Sequence, residues 1–481
     1  MNQAAIHHRS RVLPSDWDQT APRAYITNCL CFPLGNSSNE AIRELELHLV
    51  SSLDGLATQL PDLAGHIQVN PVGQLEFVSS MDGRIPFQFS ILDNPRSNFY
   101  AELKDRGFPQ GELFQSKVFN TPLISDTSLL PVLIVRAVVV PGGLLLGIFA
   151  HHGFMDGEGM TKMLECLGAQ TRRQQLGIPT KKELEFPFPD ENAEDPCVDG
   201  FRPGYISRFE FPEFEFDSHC RGPTQPIVHE SDSTPMSAIP TTGKIFVFSA
   251  QRLAELKEAV VAASEPGMSI PSTYTSLAAL AWARIAQARI STETFRYTPV
   301  RLGHAWMSNP VNWRPRAFPA STAGYFGNCM AKAITELTET TIMRVGCDSS
   351  LRGLAALVTA IQSALSSVDA DFVHSRTRLF RRLDDPRHLG LRWDPRRSAD
   401  LNFNSWRHLG IEAQWNLPGV SVTYPDAVRK LPAAEWGMGD ALILPGRKDS
   451  AYELLVMLPM VSMEALCKDE EWLKWVGRVV D

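Results

Sequence analysis

The stretch that decides the fold reads PVLIVRAVVVPGGLLLGIFAHHGFMDG, residues 131–157. Two aliphatic runs flank Pro141-Gly142-Gly143, and the first is rich in β-branched valine, so the segment predicts a hairpin of two buried strands, Pro131 to Val140 and Leu144 to Ala150. Leu129 to Ala150 is also apolar and long enough to cross a bilayer, but Arg136 and the Pro-Gly-Gly break argue against a membrane helix. The second strand ends on His151-His152, and Gly153-Phe154-Met155-Asp156-Gly157 then turns the chain toward a helix from about Gly159 to Arg173.

The rest of the composition suits an ordinary folded protein rather than a nucleic-acid binder. Of 481 residues, 44% are apolar and 21% charged, the balance of an ordinary folded protein with room for two domains. A net charge of −8 and a pI near 5.9 disfavour nucleic acid, whose phosphate backbone requires a basic surface. The eight cysteines form no CxxC pair and are read as free thiols. The N-terminal residues Met1 to Arg11 lack an apolar signal core, so a cytoplasmic setting and no transmembrane segment are expected.

Working outward from the hairpin, Ser37 and Glu40 have capping-box spacing, and Ile42, Leu45, Leu49, Leu53 and Leu56 follow on one helical face. A turn at LPDLAG (Leu60 to Gly65) leads to strands that include Gln74 to Val78. From Pro179 to Thr242 proline, serine and acidic residues replace periodic patterning, except around Tyr205 to Phe214, which predicts a crossover linker. A second regular region follows: strand Lys244 to Phe248, helices Gln251 to Ala263, Thr273 to Ala288 and Leu351 to Leu365, and a final helix Met463 to Val479. The expectation is a mixed α/β protein with an N-terminal domain (1–178), a linker (179–242) and a C-terminal domain (243–481).

Histidine at a strand-to-turn junction suits proton transfer. Its unperturbed pKa near 6.5 lets it accept a proton from a hydroxyl or amine at neutral pH. Asp156, four residues beyond His152, can take a hydrogen bond or an arginine and lock the turn. A metal reading requires a third ligand, and neither HExxH nor histidines at metal spacing accompany the pair, so no metal is expected. No GxSxG nucleophile motif is present near the site either.

The pattern HHxxxDG resembles the signature of the CoA-dependent acyltransferase superfamily. Further stretches are similar to its fungal BAHD-like branch, of the trichothecene 3-O-acetyltransferase type: LPSDWDQ (Leu13 to Gln19), LPDLAG, STYTSLAALAWARIAQAR (Ser272 to Arg289), Asn312-Trp313-Arg314-Pro315-Arg316 followed by Gly324-Tyr325-Phe326-Gly327-Asn328, and LCKDEEW near the C-terminus. The resemblance implies two chloramphenicol-acetyltransferase-like domains, each a mixed sheet flanked by helices, meeting at a channel. It implies His152 as general base and Asp156 as a brace of the catalytic turn, with Gly157 and with Arg314, or else Arg316, as partner. It also implies channel-lining positions at His151, Asn328, Trp415, Gly419 and Ser421. Acyl-CoA would be the co-substrate, a small secondary metabolite the acceptor, and the enzyme a monomer without a tightly bound cofactor.

One family motif, DFGWG, is degenerate. Pro425-Asp426-Ala427-Val428-Arg429 is similar to the family's downstream segment, but Trp415 to Tyr424 reads WNLPGVSVTY and keeps only Gly419. That departure leaves two other readings open: a cyclase, isomerase or hydrolase that uses His152 without an acyl donor, and a non-catalytic binding protein.

Overall fold

The computed structural model describes residues 8–12, 14–80, 83–92, 96–113, 119, 129–174, 176, 201–202, 204–220, 222–223, 239–265, 269–292, 303–347, 351–431 and 437–481. Two large mixed sheets organise them. The first has five strands in the order Ala427–Lys430, Tyr25–Pro33, Gly143–His151, Leu133–Val140 and Phe87–Ile91. The expected hairpin is its centre: Leu133–Val140 pairs antiparallel with Gly143–His151 around a turn in which Gly142 takes φ +81°.

Both faces of this sheet are covered, which is why its strands read as unbroken apolar runs. Ile26, Leu30, Phe32, Leu144, Leu146 and Ile148 pack against helices Asn39–Gln59 and Gly157–Thr171. Alternate residues, among them Cys29, Cys31, Leu145 and Phe149, meet Phe99, Tyr100 and Phe108 on the other side.

The second sheet has seven strands: Met330–Thr338, His304–Asn312, Leu401–Ser405, Asp440–Ile443, Tyr452–Pro459, Thr241–Phe248 and Arg478–Val480. Helices Ala250–Ala262, Thr273–Ser291 and Leu351–Ser366 share its core. Thr273–Ser291 is buried on nearly all sides, and its Trp282 donates to the Ala399 carbonyl at 2.7 Å. A smaller sheet pairs His8–Val12, Leu75–Ser80, His66–Val69 and Leu130–Pro131. Among the described residues no single helix is long and apolar enough to cross a membrane.

The mixed α/β architecture is the expected one, and several local expectations need correction. The first long helix is capped by Ser38, not Ser37; the Ser38 hydroxyl accepts from Ala41 N–H. The expected final helix is interrupted. Met460–Leu466 stops at Cys467, Asp469 caps a separate turn Glu470–Leu473, and Arg478–Val480 pairs as a strand with Ile245–Val247. Its apolar residues Val479 and Val480 serve a sheet edge, which their β-branching favours.

The boundaries at 179, 242 and 243 follow the sheets only in part. Residues 179–200 and 224–238 lie outside the described ones, but Phe211 and Phe214 are buried with Trp17, Trp313 and Phe380, and Phe214–Phe216 pairs with Leu389–Leu391. Further on, Leu409, Ile411, Trp415 and Val428 belong to the first sheet's core. The second half therefore lends a strand, Ala427–Lys430, to the first. Arg429 ties the two sheets by donating to both carboxylate oxygens of Glu453 at 2.9 Å.

Candidate active site

The last residue of strand Gly143–His151 and the first of the turn have opposite fates. His151 is 1% exposed, its ring lies edge-on to Tyr25, and its Nδ1 accepts the Gly153 N–H at 3.1 Å. Burial, with smaller contributions from His152 and Arg23, pushes its pKa down to about 3, which favours the neutral ring, and at 1% exposure the side chain is a core group. His152 is only partly buried, and its backbone N–H is pinned to the Ala24 carbonyl at 2.8 Å.

Asn328 fixes the His152 ring. Its Oδ1 lies 3.1 Å from His152 Nδ1, while its Nδ2 donates to the His152 carbonyl at 2.8 Å and to Asp18 Oδ1 at 2.8 Å. A carbonyl and a carboxylate oxygen can only accept, so the amide nitrogen must face them and Oδ1 must face the ring. An amide oxygen can only accept as well. Neutral His152 therefore carries its proton on Nδ1 and its lone pair on Nε2.

Asp156 holds the turn rather than the ring. It caps helix Gly157–Thr171, with Oδ1 accepting from Glu158 and Gly159 N–H at 3.1 and 3.0 Å. Arg314 grips it in a fork, Nη1 to Oδ2 at 2.8 Å and Nη2 to Oδ1 at 3.2 Å, and Cys329 N–H adds a bond of 2.8 Å. Burial alone would raise the Asp156 carboxyl, but the Arg314 charge and these hydrogen bonds outweigh it and hold the group below the ordinary carboxylate value. Arg314 also donates to the Gly327 carbonyl, so one guanidinium joins the turn after His152 to the segment that carries Asn328.

The other candidates are placed elsewhere. Arg316 is exposed and donates to the Leu365 carbonyl, not to Asp156. Gly157 meets only Leu409 at ordinary contact distance, so no steric demand for glycine exists there. The demand falls instead on Gly159, where a Cβ would come within 2.3 Å of the Phe326 carbonyl oxygen.

Trp415, Gly419 and Ser421 are not brought to His152. Trp415 is a core residue edge-on to Phe32, Gly419 (φ +76°) accepts from Gly35 N–H at 2.9 Å, and Val420 bridges to Leu34. Tyr25 pairs with His151 and Pro33 with Gly143, so this loop lies beyond the strand's opposite end, roughly 27 Å away at about 3.3 Å per residue. The degenerate motif is therefore a structural loop.

Sequence reading missed Asp18. It lies in the LPSDWDQ stretch noted only for its resemblance, and in the structure it forms a capping box with Ser15. Cys220, Asp385 and His388 bring ligand-type atoms within 4.8 Å of one another, but Asp385 is gripped by Arg387 and His388 Nδ1 lies 2.8 Å from the Asp217 carbonyl.

Residues 4–473 match the Transferase family. The chain belongs to that family. Among curated relatives within reach of this transferase-family enzyme, trichothecene 8-O-acetyltransferase of Fusarium sporotrichioides is 23% identical over 396 residues, 78% of each chain. Trichothecene 3-O-acetyltransferase of the same organism is 24% identical over 450 residues, 89% of this chain and 88% of that one. The structure of F. graminearum TRI101 with coenzyme A and T-2 mycotoxin superposes with a TM-score of 0.76 at 17% identity, covering 98% of this chain and all 100% of the other. Vinorine synthase gives 0.64 at 17% identity, covering 99% and 95%. These likenesses agree with the fold of this transferase-family chain.

Proposed function

We propose that this enzyme moves an acyl group from acyl-CoA to a hydroxyl, or an amine, of a small secondary metabolite, with His152 as general base. The observation that carries the reading is the Asn328 contact, which turns a strand-end histidine into a base of defined tautomer. His152 Nε2 takes the proton of the acceptor hydroxyl, and the freed oxygen attacks the thioester carbonyl. The tetrahedral oxyanion collapses, the C–S bond breaks, and the imidazolium returns its proton to the departing thiolate. No covalent enzyme intermediate is required. A positioned base of this kind contributes roughly 10² to 10⁴ in rate.

Support for the donor comes from the family and from relatives whose structures hold coenzyme A. Support for the acceptor class comes from relatives named for trichothecenes and eremophilanes. The ground for a cyclase, isomerase or hydrolase was the degenerate motif, and its distance from His152 removes that ground. We read the enzyme as a cytoplasmic monomer in which donor and acceptor reach His152 by a channel between the two halves. Thiol release from an acyl-CoA panel, with and without candidate terpenoid alcohols, tests the proposal. Acceptor-dependent release supports it, and product formed in the absence of any acyl-CoA contradicts it.

A further inference from the structure

We infer that Asp18 is a positioning residue for His152, acting through Asn328 to fix the tautomer of the base and to favour the imidazolium formed during transfer. The inference rests on the reading of His152 as the base.

Asp18 sits on the short helix Asp16–Gln19 and is 3% exposed. Its Oδ1 accepts Asn328 N–H at 2.7 Å and Asn328 Nδ2–H at 2.8 Å, so backbone and side chain of one residue chelate a single oxygen. Its Oδ2 accepts the Tyr325 hydroxyl at 2.6 Å and the Ser15 hydroxyl at 2.7 Å. Burial outweighs these donors and holds the carboxyl above its ordinary value, while the four hydrogen bonds, all donated to its oxygens, favour the charged form. Without the carboxylate only the His152 carbonyl would hold the Asn328 amide against turning over and offering N–H to Nδ1. The flipped form would place the ring proton on Nε2, where it blocks proton acceptance.

The same chain of bonds transmits charge. As His152 takes up the acceptor's proton, a carboxylate one amide away stabilises the cation, and the intervening amide is polarised in the required sense. The other charged and titratable groups packed around the site do not duplicate this. His151 is neutral, and Asp156 and Arg314 neutralise each other. Tyr325 and Cys329 are kept protonated by burial, and Arg23 donates to the Gly73 carbonyl. Asp16, on the same helix, pairs at the surface with Arg381.

The test is the steady-state pH profile of Asp18→Asn in the full chain, read by thiol release from the best acyl donor and acceptor. The expected result is a roughly 10- to 100-fold fall in kcat, KM within about threefold of wild type, and an acidic limb displaced to lower pH, since the base has lost a stabilising anion. In an Asn328→Ala background the same substitution should change kcat less than about threefold, because the connecting amide is gone. An unchanged kcat and acidic limb for Asp18→Asn would overturn the inference. So would an equal loss in both backgrounds that tracks melting temperature, which marks a purely structural carboxylate. If Asp18→Asn does not fold, Tyr325→Phe removes one of the carboxylate's donors. It should lower kcat roughly three- to tenfold at unchanged KM, and full activity there would overturn the inference. His152→Ala is measured alongside. If it stays active the base reading has failed, independently of Asp18.

Discussion

Asp156 and Arg314, 158 residues apart in the chain, meet in a buried fork that fastens the turn after His152 to the segment ending in Asn328. The pair gives Asp156, four residues after His152, a role in holding the turn. It sets where the turn is, and Asn328 sets how the ring points.

Removing either partner should cost stability first. Asp156→Ala strands a guanidinium that is 6% exposed, and loss of one partner of such a pair costs roughly 3–5 kcal/mol. Arg316→Ala, at an exposed side chain, should stay within about 0.5 kcal/mol. Urea denaturation of the two variants checks the contrast.

His151 predicts a pH dependence of stability. Its folded pKa, about 3, lies below the unfolded value near 6.5, so its contribution is full above about pH 6.5. Between those values the unfolded chain binds a proton that the folded one does not, and stability falls by up to about 1.4 kcal/mol per pH unit. His151→Gln should flatten that slope between pH 6.5 and 4 in unfolding titrations, apart from its own packing cost. Asp156 acts lower, since its depressed carboxyl yields stability above about pH 3.9 that is lost as pH falls below that value.

Close approach predicts a third effect. In Gly159→Ala the new Cβ meets backbone at Phe326, so helix Gly157–Thr171 or the Phe326–Asn328 segment must shift. A destabilisation of roughly 1–3 kcal/mol is expected, with a lower kcat as Asn328 moves from His152. Thermal unfolding and turnover of the purified variant measure both.

The loop from Trp415 to Tyr424 should matter for folding and not for chemistry. Ser421→Ala, at an exposed position, should keep kcat and KM for acyl-CoA within about twofold. Gly419→Ala should lose roughly 1 kcal/mol or more of stability, because its φ of +76° is unfavourable for alanine, while the folded fraction turns over normally.

Much of this was legible in the sequence, for identifiable reasons. The hairpin around Pro141-Gly142-Gly143 declares itself by β-branched runs and a turn, and HHxxxDG marks the junction after it. The Asp156–Arg314 partnership was reachable only through the family pattern, since no local spacing connects the two residues. Asp18 was hidden because its three-residue spacing from Ser15 is satisfied by an ordinary capping box, while its remaining bonds reach across 310 residues to Asn328. The division of Met463 to Val479 was missed because Val479 and Val480 fit a helical face as well as a strand, and only pairing with Ile245–Val247 decides between them. Trp415 was misplaced because a motif's fame says nothing of which end of the strand it covers.

The role of His152 as the base is tested by the rate of acceptor-dependent thiol release by His152→Ala against the wild type, with folding verified by thermal unfolding. The expected result is a folded variant whose kcat falls by roughly 10² to 10⁴. A folded His152→Ala enzyme that releases thiol within about threefold of the wild-type rate would contradict it.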